Sequence, residues 1–317
     1  MADLRFSRRA SLGLLASAAL IRPARAAARL SYDLRPQAVA KGVWMIEGST
    51  EYFTMENGGA IVNCALLQGD TGLIVVDTGS SLRYGEALKS VADGLDLRGV
   101  STVINTHHHP DHFFGNQVFA DRPILALGET ILQADAQADA LADNMYRILG
   151  DWMRGTDPVI PRNVISGGDV VIDGRAFLAL PLSGHTEGDL ALLDRESGIL
   201  IAGDLVFYDR AATTPSADLP VWHAALDTLE GTGAAAVLPG HGPIDRSGAA
   251  IPQTRAYLRW LEDTLRTAAG QGLDMIEVMD LPLPPEFAGL GAEPEEFHRS
   301  IAHLYPSIER EVMPRAN

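Results

Sequence analysis

The stretch Thr106-His107-His108-His109-Pro110-Asp111-His112 contains four histidines and one aspartate within seven residues. It directly follows residues 101–105, a largely β-branched run that predicts a strand. Neutral imidazole and carboxylate groups are the usual ligands of zinc and of metals of similar hardness. A strand that ends in this tight turn would gather its side chains at one edge of a sheet. The stretch therefore predicts a metal site that the rest of the chain completes.

Other apolar runs in the chain also end in aspartate or histidine. The run that begins at Gly72 ends in Asp77, and a similar run ends in Asp204, so each predicts a buried strand that terminates in a carboxylate. Two further runs lead into turns that contain His185 and His241. Strands and helices thus alternate through two similar halves, which predicts a layered α/β architecture with the candidate ligands along one edge.

Helical periodicity is clearest in two segments, Thr130 to Leu149 and Pro252 to Gly270. The first is expected to place four apolar side chains on or near one face: Leu132, Leu141, Met145 and Ile148. Residues 273–317 are expected to form loops and short helices, and their sequence indicates no chemistry.

The residues at the predicted strand ends give a set of seven candidate metal ligands: His107, His109, Asp111, His112, His185, Asp204 and His241. His108 lies between two candidates and is expected to point away from them. His223 is expected to cap or pack a helix, and the two histidines of the tail, His298 and His303, are expected to be solvated.

In order and spacing, five motifs resemble those of the metallo-β-lactamase superfamily. They are Asp77, His107-x-His109-x-Asp111-His112, His185 in Gly-His-Thr-x-Gly, Asp204 in Ala-Gly-Asp, and His241 in Pro-Gly-His-Gly. The resemblance covers roughly residues 40–265 and implies an α/β fold, the αββα four-layer sandwich.

The same resemblance implies a dinuclear metal site. One metal would be held by His107, His109 and His185, and the other by Asp111, His112 and His241. Asp204 would bridge the two metals, and Asp77 would fix the geometry of the ligands without being one.

Three protein ligands per metal would leave positions for solvent, which is typical of a catalytic site. Two Zn²⁺ ions would generate a bridging hydroxide, and Asp111, the candidate catalytic residue, would orient it and shuttle its proton. Iron or manganese would suit the same residue types. The implied function is hydrolysis of an ester, thioester or lactone-type carbonyl in a small-molecule substrate.

Longer phrases resemble one exported branch, the SoxH-like proteins or quinoprotein relay system zinc metallohydrolases. These phrases are 105–116, Asp77-Thr78-Gly79 with Arg83-Tyr84-Gly85, and 203–207. Asp204 favours the esterase and thioesterase branches, because the true β-lactamases of the superfamily lack a bridging aspartate there. His109 argues against the diiron flavoproteins, which usually have glutamate at that point.

Three alternatives remain open from the sequence. The first is β-lactam hydrolysis as a main or side activity, and the second is an iron-dependent persulfide dioxygenase, which shares several of these motifs. The third is a non-catalytic, metal-binding accessory protein of a periplasmic quinoprotein or cytochrome. In that case the loop 49–59, which carries aromatic and methionine side chains, would be a docking surface; otherwise it would be a substrate flap or an ordinary loop packed on its own domain.

Residues 1–28 are typical of a cleaved export signal of the twin-arginine type. Arg8 and Arg9 form the arginine pair, and residues 12–21 are apolar but too few to span a bilayer. We therefore expect a periplasmic protein with no stable membrane association after cleavage. Residues 29–270 would form the metallo-β-lactamase-fold domain, and residues 271–317 a helical extension packed on it.

The composition narrows the class of partner. The formal net charge is −16, and the chain has only two lysines, Lys41 and Lys89, so nucleic acid is not expected as a partner. Cys64 is the only cysteine, so the chain cannot form an internal disulfide, and its apolar surroundings predict that it is buried.

Overall fold

Two β-sheets form the centre of the molecule in the computed structural model, which describes residues 30–312. The predicted export signal, 1–28, lies outside the described residues. Seven strands make the first sheet in sequence order: β1 (Pro36–Ala40), β2 (Val43–Ile46), β3 (Cys64–Gln68), β4 (Leu73–Val76), β5 (Val100–Ile104), β6 (Ile124–Ala126) and β7 (Asn163–Val164). Strands β1 to β4 pair antiparallel, and β4 to β7 pair parallel.

The second sheet has five strands in the order β12-β11-β10-β9-β8. They are β8 (Gly168–Ile172), β9 (Arg175–Leu182), β10 (Asp189–Asp194), β11 (Ile199–Phe207) and β12 (Ala236–His241). Only the β11–β12 pair is parallel.

Within residues 30–312, seven α-helices accompany the sheets: α1 (Leu82–Leu95), α2 (Pro110–Phe113), α3 (Gly128–Leu149), α4 (Leu219–Glu230), α5 (Ala250–Gln271), α6 (Met275–Met279) and α7 (Glu295–Val312). Short 3₁₀ turns cover Phe114–Phe119 and Gly150–Met153. None of the helices in the described range is both long and apolar enough to span a bilayer.

Three apolar cores hold the layers together. The central core contains side chains of both sheets, such as Val76 and Ile104 from the first and Leu192 and Ile201 from the second. The outer face of the first sheet packs on α1, and the outer face of the second packs on α4, α5 and α7. Helix, sheet, sheet and helix are therefore stacked in that order, which confirms the predicted αββα sandwich.

Helix α3 differs from its predicted face. Leu132 was expected to be buried but is 72% exposed, whereas the buried row consists of Thr130, Ala134, Ala138, Met145 and Leu149. Small residues four positions apart let the helix pack closely on its neighbours. A prediction based only on large apolar residues overlooks them.

The C-terminal part is more regular than expected. Helix α7 has 18 residues rather than being short, and Phe297, Ile301 and Tyr305 on one face join the core that also contains α5. The sequence indicated no chemistry for this segment, but α7 borders the cleft described below.

Candidate metal centre

The candidate ligands reach one place from both sheets. Strand β5 ends just before His107, and Pro110 begins α2 at a position where its missing N–H is not needed. The second sheet supplies the others: His185 from the turn between β9 and β10, Asp204 from β11, and His241 as the last residue of β12. All seven side chains are buried except that of His109, which is half-buried.

The seven residues form two adjacent groups. Four lie in the first (His107, His109, His185 and Asp204), and three in the second (Asp111, His112 and His241). Within each group, one potential ligand atom from every residue lies within 4.8 Å of the others.

Asp204 lies between the two groups. Its Oδ2 is 3.4 Å from Nε2 of His185, and its Oδ1 is 3.2 Å from Nε2 of His112. The division into two groups is the one the sequence predicts, and the role of each residue as a ligand remains a prediction.

Hydrogen bonds behind the rings orient three of the histidines. Nδ1 of His241 donates to the carbonyl of Ile61 over 2.8 Å, and Nδ1 of His107 lies 3.1 Å from Oγ1 of Thr106. Nδ1 of His112 is 2.8 Å from a carboxylate oxygen of Asp77. These contacts leave the Nε2 lone pairs directed toward the centre of the cluster, which is the usual arrangement behind metal-binding histidines.

Asp77 occupies the supporting position that the sequence predicts for it. It follows β4 with a φ of 61°, and its carboxylate accepts from the backbone N–H of Thr106 over 2.9 Å and from the Thr106 hydroxyl over 2.8 Å. Aspartate tolerates this left-handed backbone better than most residues. One buried carboxylate thus fixes both the start of the histidine stretch and the ring of His112.

The buried polar atoms at the centre fit a metal. Among residues 30–312, Nε2 of His107, Nε2 of His112 and Oδ1 of Asp204 are buried without a hydrogen-bond partner. Leaving several such atoms unpaired at one point is costly, and a bound cation would satisfy them together. The mixture of imidazole nitrogens and carboxylate oxygens suits zinc, iron or manganese better than calcium or magnesium.

The pKa shifts of most of these side chains favour the deprotonated form, which is the form that binds a cation. Burial lowers the pKa of three histidines below the ordinary value: His107, His109 and His185, the last to about 3. For His112, burial also acts to lower the pKa, but the carboxylates of Asp204 and Asp77 outweigh it and raise the pKa well above 6.5. Burial would raise the pKa of Asp204, yet His241 and His112 hold it well below 3.8. His107, His109 and His185 are therefore neutral imidazoles beside the ionised carboxylate of Asp204, whereas His112 would have to release a proton to bind a metal.

The prediction that β11 ends at Asp204 is wrong, because the strand continues to Phe207. The register with β12 is irregular on both sides of Gly203, whose φ is +53°. On the neighbouring strand, a Cβ at Gly240 would lie 1.9 Å from Oδ1 of Asp204. The carboxylate of Asp204 thus projects from the middle of β11 into a space that is free because residue 240 is a glycine.

A cavity of about 260 Å³ opens beside the metal centre and reaches Asp111, Asp204 and His241. We call it the cleft. One wall is mainly apolar and consists of Tyr52, Phe53, Ile61, Leu141, Met145 and Pro215. Arg210, Glu296 and Arg299 add charged side chains to the lining.

The loop 49–59 is folded back on its own domain. Its backbone accepts a 2.9 Å hydrogen bond at Met55 from the indole of Trp152, and Tyr52 and Phe53 form part of the apolar wall. The side chain of Met55 is 53% exposed. The loop is thus a fixed part of the cleft in this structure.

Three residues of α7 line the cleft, and the sequence interpretation gave none of them a place there: Glu296, Arg299 and His303. A row of Glu296, Arg299 and His303 at spacings of three and four was the available signal. Arg210, which follows Asp204 by six residues, also lines the cleft, whereas Tyr208 is not among its lining residues.

Of the other histidines, His108 is buried, belongs to neither ligand group, and its ring nitrogens find no hydrogen-bond partner in the described range. His223 lies within α4 with both ring nitrogens likewise unpartnered. His303 is exposed, as expected. The prediction of a solvated His298 is wrong, because its Nε2 lies 3.2 Å from the carbonyl oxygen of Met279. As Cys64 is fully buried, that prediction is confirmed.

The four-layer arrangement and the histidines clustered at its strand ends place this chain among α/β-sandwich proteins with a candidate metal site. The model of the metallo-beta-lactamase superfamily matches residues 57–241, and the chain belongs to that superfamily. The matched range includes all seven candidate ligands and ends before α7.

Several relatives in the comparison are named as hydrolases. The linear primary-alkylsulfatase of Pseudomonas sp. (strain ATCC 19151) is 21% identical over 77% of this chain and 54% of its own length. The acyl-coenzyme A thioesterase MBLAC2 of Gallus gallus is 28% identical over 46% of this chain and 57% of its own length. The chain thus spans little more than half the length of these two relatives.

Solved structures agree on the fold. A metallo-beta-lactamase family protein from Thermus thermophilus aligns with a TM-score of 0.64 and 21% identity, over 88% of this chain and 97% of that one. A beta-lactamase domain protein from Burkholderia ambifaria gives a TM-score of 0.60 and 22% identity, over 87% and 89%.

Proposed function

We propose that this protein is a dinuclear zinc hydrolase that cleaves an ester, thioester or lactone-type carbonyl. The observation that carries the proposal is the pair of adjacent ligand groups with Asp204 between them. The relatives named as a thioesterase and an alkylsulfatase support hydrolysis at such a site. Zinc is chosen because four of the seven side chains of the two groups are buried imidazoles and no group contains a thiolate.

Each group of residues would have a separate role in hydrolysis. Zinc ions held by the two groups would supply Lewis acidity and a nucleophile at neutral pH. The carboxylate of Asp111 faces the cleft, with Oδ2 3.4 Å from Nε2 of His241, and would receive the proton of the nucleophile and pass it to the leaving group. Asp77 and the Ile61 carbonyl hold the ligand rings in place, and the apolar wall limits water around the scissile bond.

Metal content and turnover test the proposal together. We expect purified protein to contain about two zinc ions per chain and to hydrolyse at least one member of a panel of acyl-coenzyme A thioesters, 4-nitrophenyl esters and lactones. Asp111→Asn should lower kcat by about a hundredfold or more while the fold is retained, because the general base is lost. Asp121→Asn, at an exposed position ten residues further along, serves as the control.

Other results would favour the alternatives. One iron per chain with oxygen consumption on a persulfide would indicate a dioxygenase. Preferred turnover of a cephalosporin would indicate β-lactam hydrolysis, and cleavage of an alkyl sulfate alone would move the substrate from a carbonyl to a sulfate ester. Two metals with no turnover of any substrate would favour an accessory protein.

We also propose that the protein acts in the periplasm on a small molecule, within the SoxH-like branch, with a quinoprotein or cytochrome as a possible partner. The arginine pair and apolar run of residues 1–28 support export, and the phrases around the candidate ligands support the branch. Fractionation of the producing cells tests the location, since a cytoplasmic, unprocessed chain would contradict it.

A further inference from the structure

Helix α7 contributes a polar row to the cleft. Glu296, Arg299 and His303 are three and four residues apart, so they lie on the same side of the helix, and all three line the cavity that reaches the metal centre. The apolar residues of the helix, such as Phe297 and Ile301, face the core instead. The polar row is therefore the part of α7 that a substrate in the cleft would contact.

The guanidinium of Arg299 is held in place by two neighbours. Its Nη1 donates to both carboxylate oxygens of Glu296, each over 2.9 Å, and the guanidinium carbon lies 5.0 Å from the centre of the Tyr52 ring. An ion pair on one side and an aromatic face on the other restrict the side chain to one position. An arginine fixed in this way loses little conformational freedom when it binds a ligand.

Arg299 lines the cleft, and the other edge of its guanidinium has donors to spare. Within residues 30–312, Nε and Nη2 of Arg299 make no hydrogen bond to the protein, and the side chain is 32% exposed. Nε–H and Nη2–H are parallel donors whose spacing matches the two oxygens of a carboxylate. The edge is therefore a preformed fork for an anionic group.

The charges around Glu296 leave a positive excess. Glu296 is fully buried and also accepts from Nη2 of Arg210 over 3.3 Å and from the hydroxyl of Thr213 over 2.8 Å. Two guanidinium groups thus share one carboxylate. Arg210, Glu296 and Arg299 together carry one net positive charge, and the other carboxylates that line the cleft, Asp111 and Asp204, belong to the metal centre.

We propose that Arg299 binds a carboxylate carried by the substrate, at the end remote from the bond that is cleaved. The substrate class is then an ester or thioester of a dicarboxylic acid with one free carboxylate. Its methylene chain would lie along the apolar wall formed by Tyr52, Leu141 and Met145. This inference rests on the proposed hydrolysis at the metal centre and adds the chemical group that selects the substrate.

Two matched esters test the inference in the zinc-loaded protein. Mono-4-nitrophenyl adipate and 4-nitrophenyl hexanoate have the same chain length and differ by the terminal carboxylate. We expect kcat/KM to favour the adipate ester by about tenfold or more, and Arg299→Gln to lower that ratio by about tenfold through the KM of the adipate ester. Arg299→Lys should give an intermediate ratio, because it keeps the charge without the fork. Arg310→Gln, at an exposed site on the same helix, should keep the wild-type ratio.

Binding of the free acids separates this inference from the proposed function. Calorimetry should show adipate binding about tenfold more tightly than hexanoate to the wild type, with the difference lost in Arg299→Gln and partly kept in Arg299→Lys. Hydrolysis of both esters with equal preference in the wild type and the variant would overturn the role of Arg299 and leave the hydrolase proposal standing. If neither ester is hydrolysed, carbonyl ester cleavage fails, and the ratio of adipate to hexanoate affinity still decides the role of Arg299.

Discussion

At the scale of single residues, the centre depends on side chains that would not touch the metals. Asp77 is the main example, because its carboxylate contacts both the ring of His112 and the Thr106 backbone that leads into the ligand stretch. Asp77 follows a predicted buried strand and precedes a glycine turn, which predicts the end of a strand. The sequence does not predict which histidine ring Asp77 supports. That information depends on packing between strands distant in sequence.

Replacing Asp77 with asparagine should weaken metal binding without unfolding the chain. Asparagine fits the φ of 61°, but its amide cannot stabilise the Nδ1–H of His112 as a carboxylate does. We expect a loss of about 10- to 100-fold in zinc affinity, measured by competition with a chromophoric chelator. Asp173→Asn is the matched control, because Asp173 has a similar φ of 45° and bonds to Thr71 away from the centre. Equal losses in both variants would contradict the role of Asp77.

At the scale of secondary-structure elements, the strands that lead to the site and the helices α3 and α5 could be predicted, whereas α7 could not. Strand β4 and the end of β5 follow from continuous apolar runs bounded by turn residues, and Asp77 and His107 could be placed from them. Helix α7 could not be interpreted in the same way. Its proposed role depends on a contact between Arg299 and Tyr52 in the loop between β2 and β3, and no local pattern specifies that contact. The candidate ligands could be proposed from their own motifs, whereas Arg299 has no such motif.

The ion pairs of Glu296 should be important for docking α7. Since Glu296 is buried with Arg210, Glu296→Ala would leave that arginine buried without its charge partner. We expect the free energy of unfolding to fall by about 3–5 kcal/mol in urea titrations. Glu295→Ala, which removes the same side chain at an exposed neighbouring position, should change it by less than about 1 kcal/mol. A small loss at Glu296 would show that apolar packing alone docks the helix.

At the scale of the whole molecule, the candidate centre joins the two halves of the sandwich. The first group takes His107 from the end of the first sheet and His185 from the second, and the second group pairs His112 with His241 in the same way. Metal binding at either group would therefore hold the two sheets together at this edge.

Zinc should accordingly stabilise the protein against unfolding. At a free zinc concentration a hundredfold above the dissociation constant, each site should add about 2.7 kcal/mol. Thermal unfolding in zinc-buffered solution measures this gain, and Asp204→Asn should reduce it because Asp204 lies between both groups. Magnesium, which prefers oxygen ligands, is the control cation. An equal gain with magnesium would contradict specific binding by the two groups.

The position of α7 beyond residues 57–241 also has a consequence for the evolution of such a protein. The reactive centre and the helix that would choose its substrates occupy separate stretches of the gene. If Arg299 selects the substrate, point mutations on the cleft side of α7 would redirect the enzyme to a new metabolite and leave every candidate ligand codon unchanged.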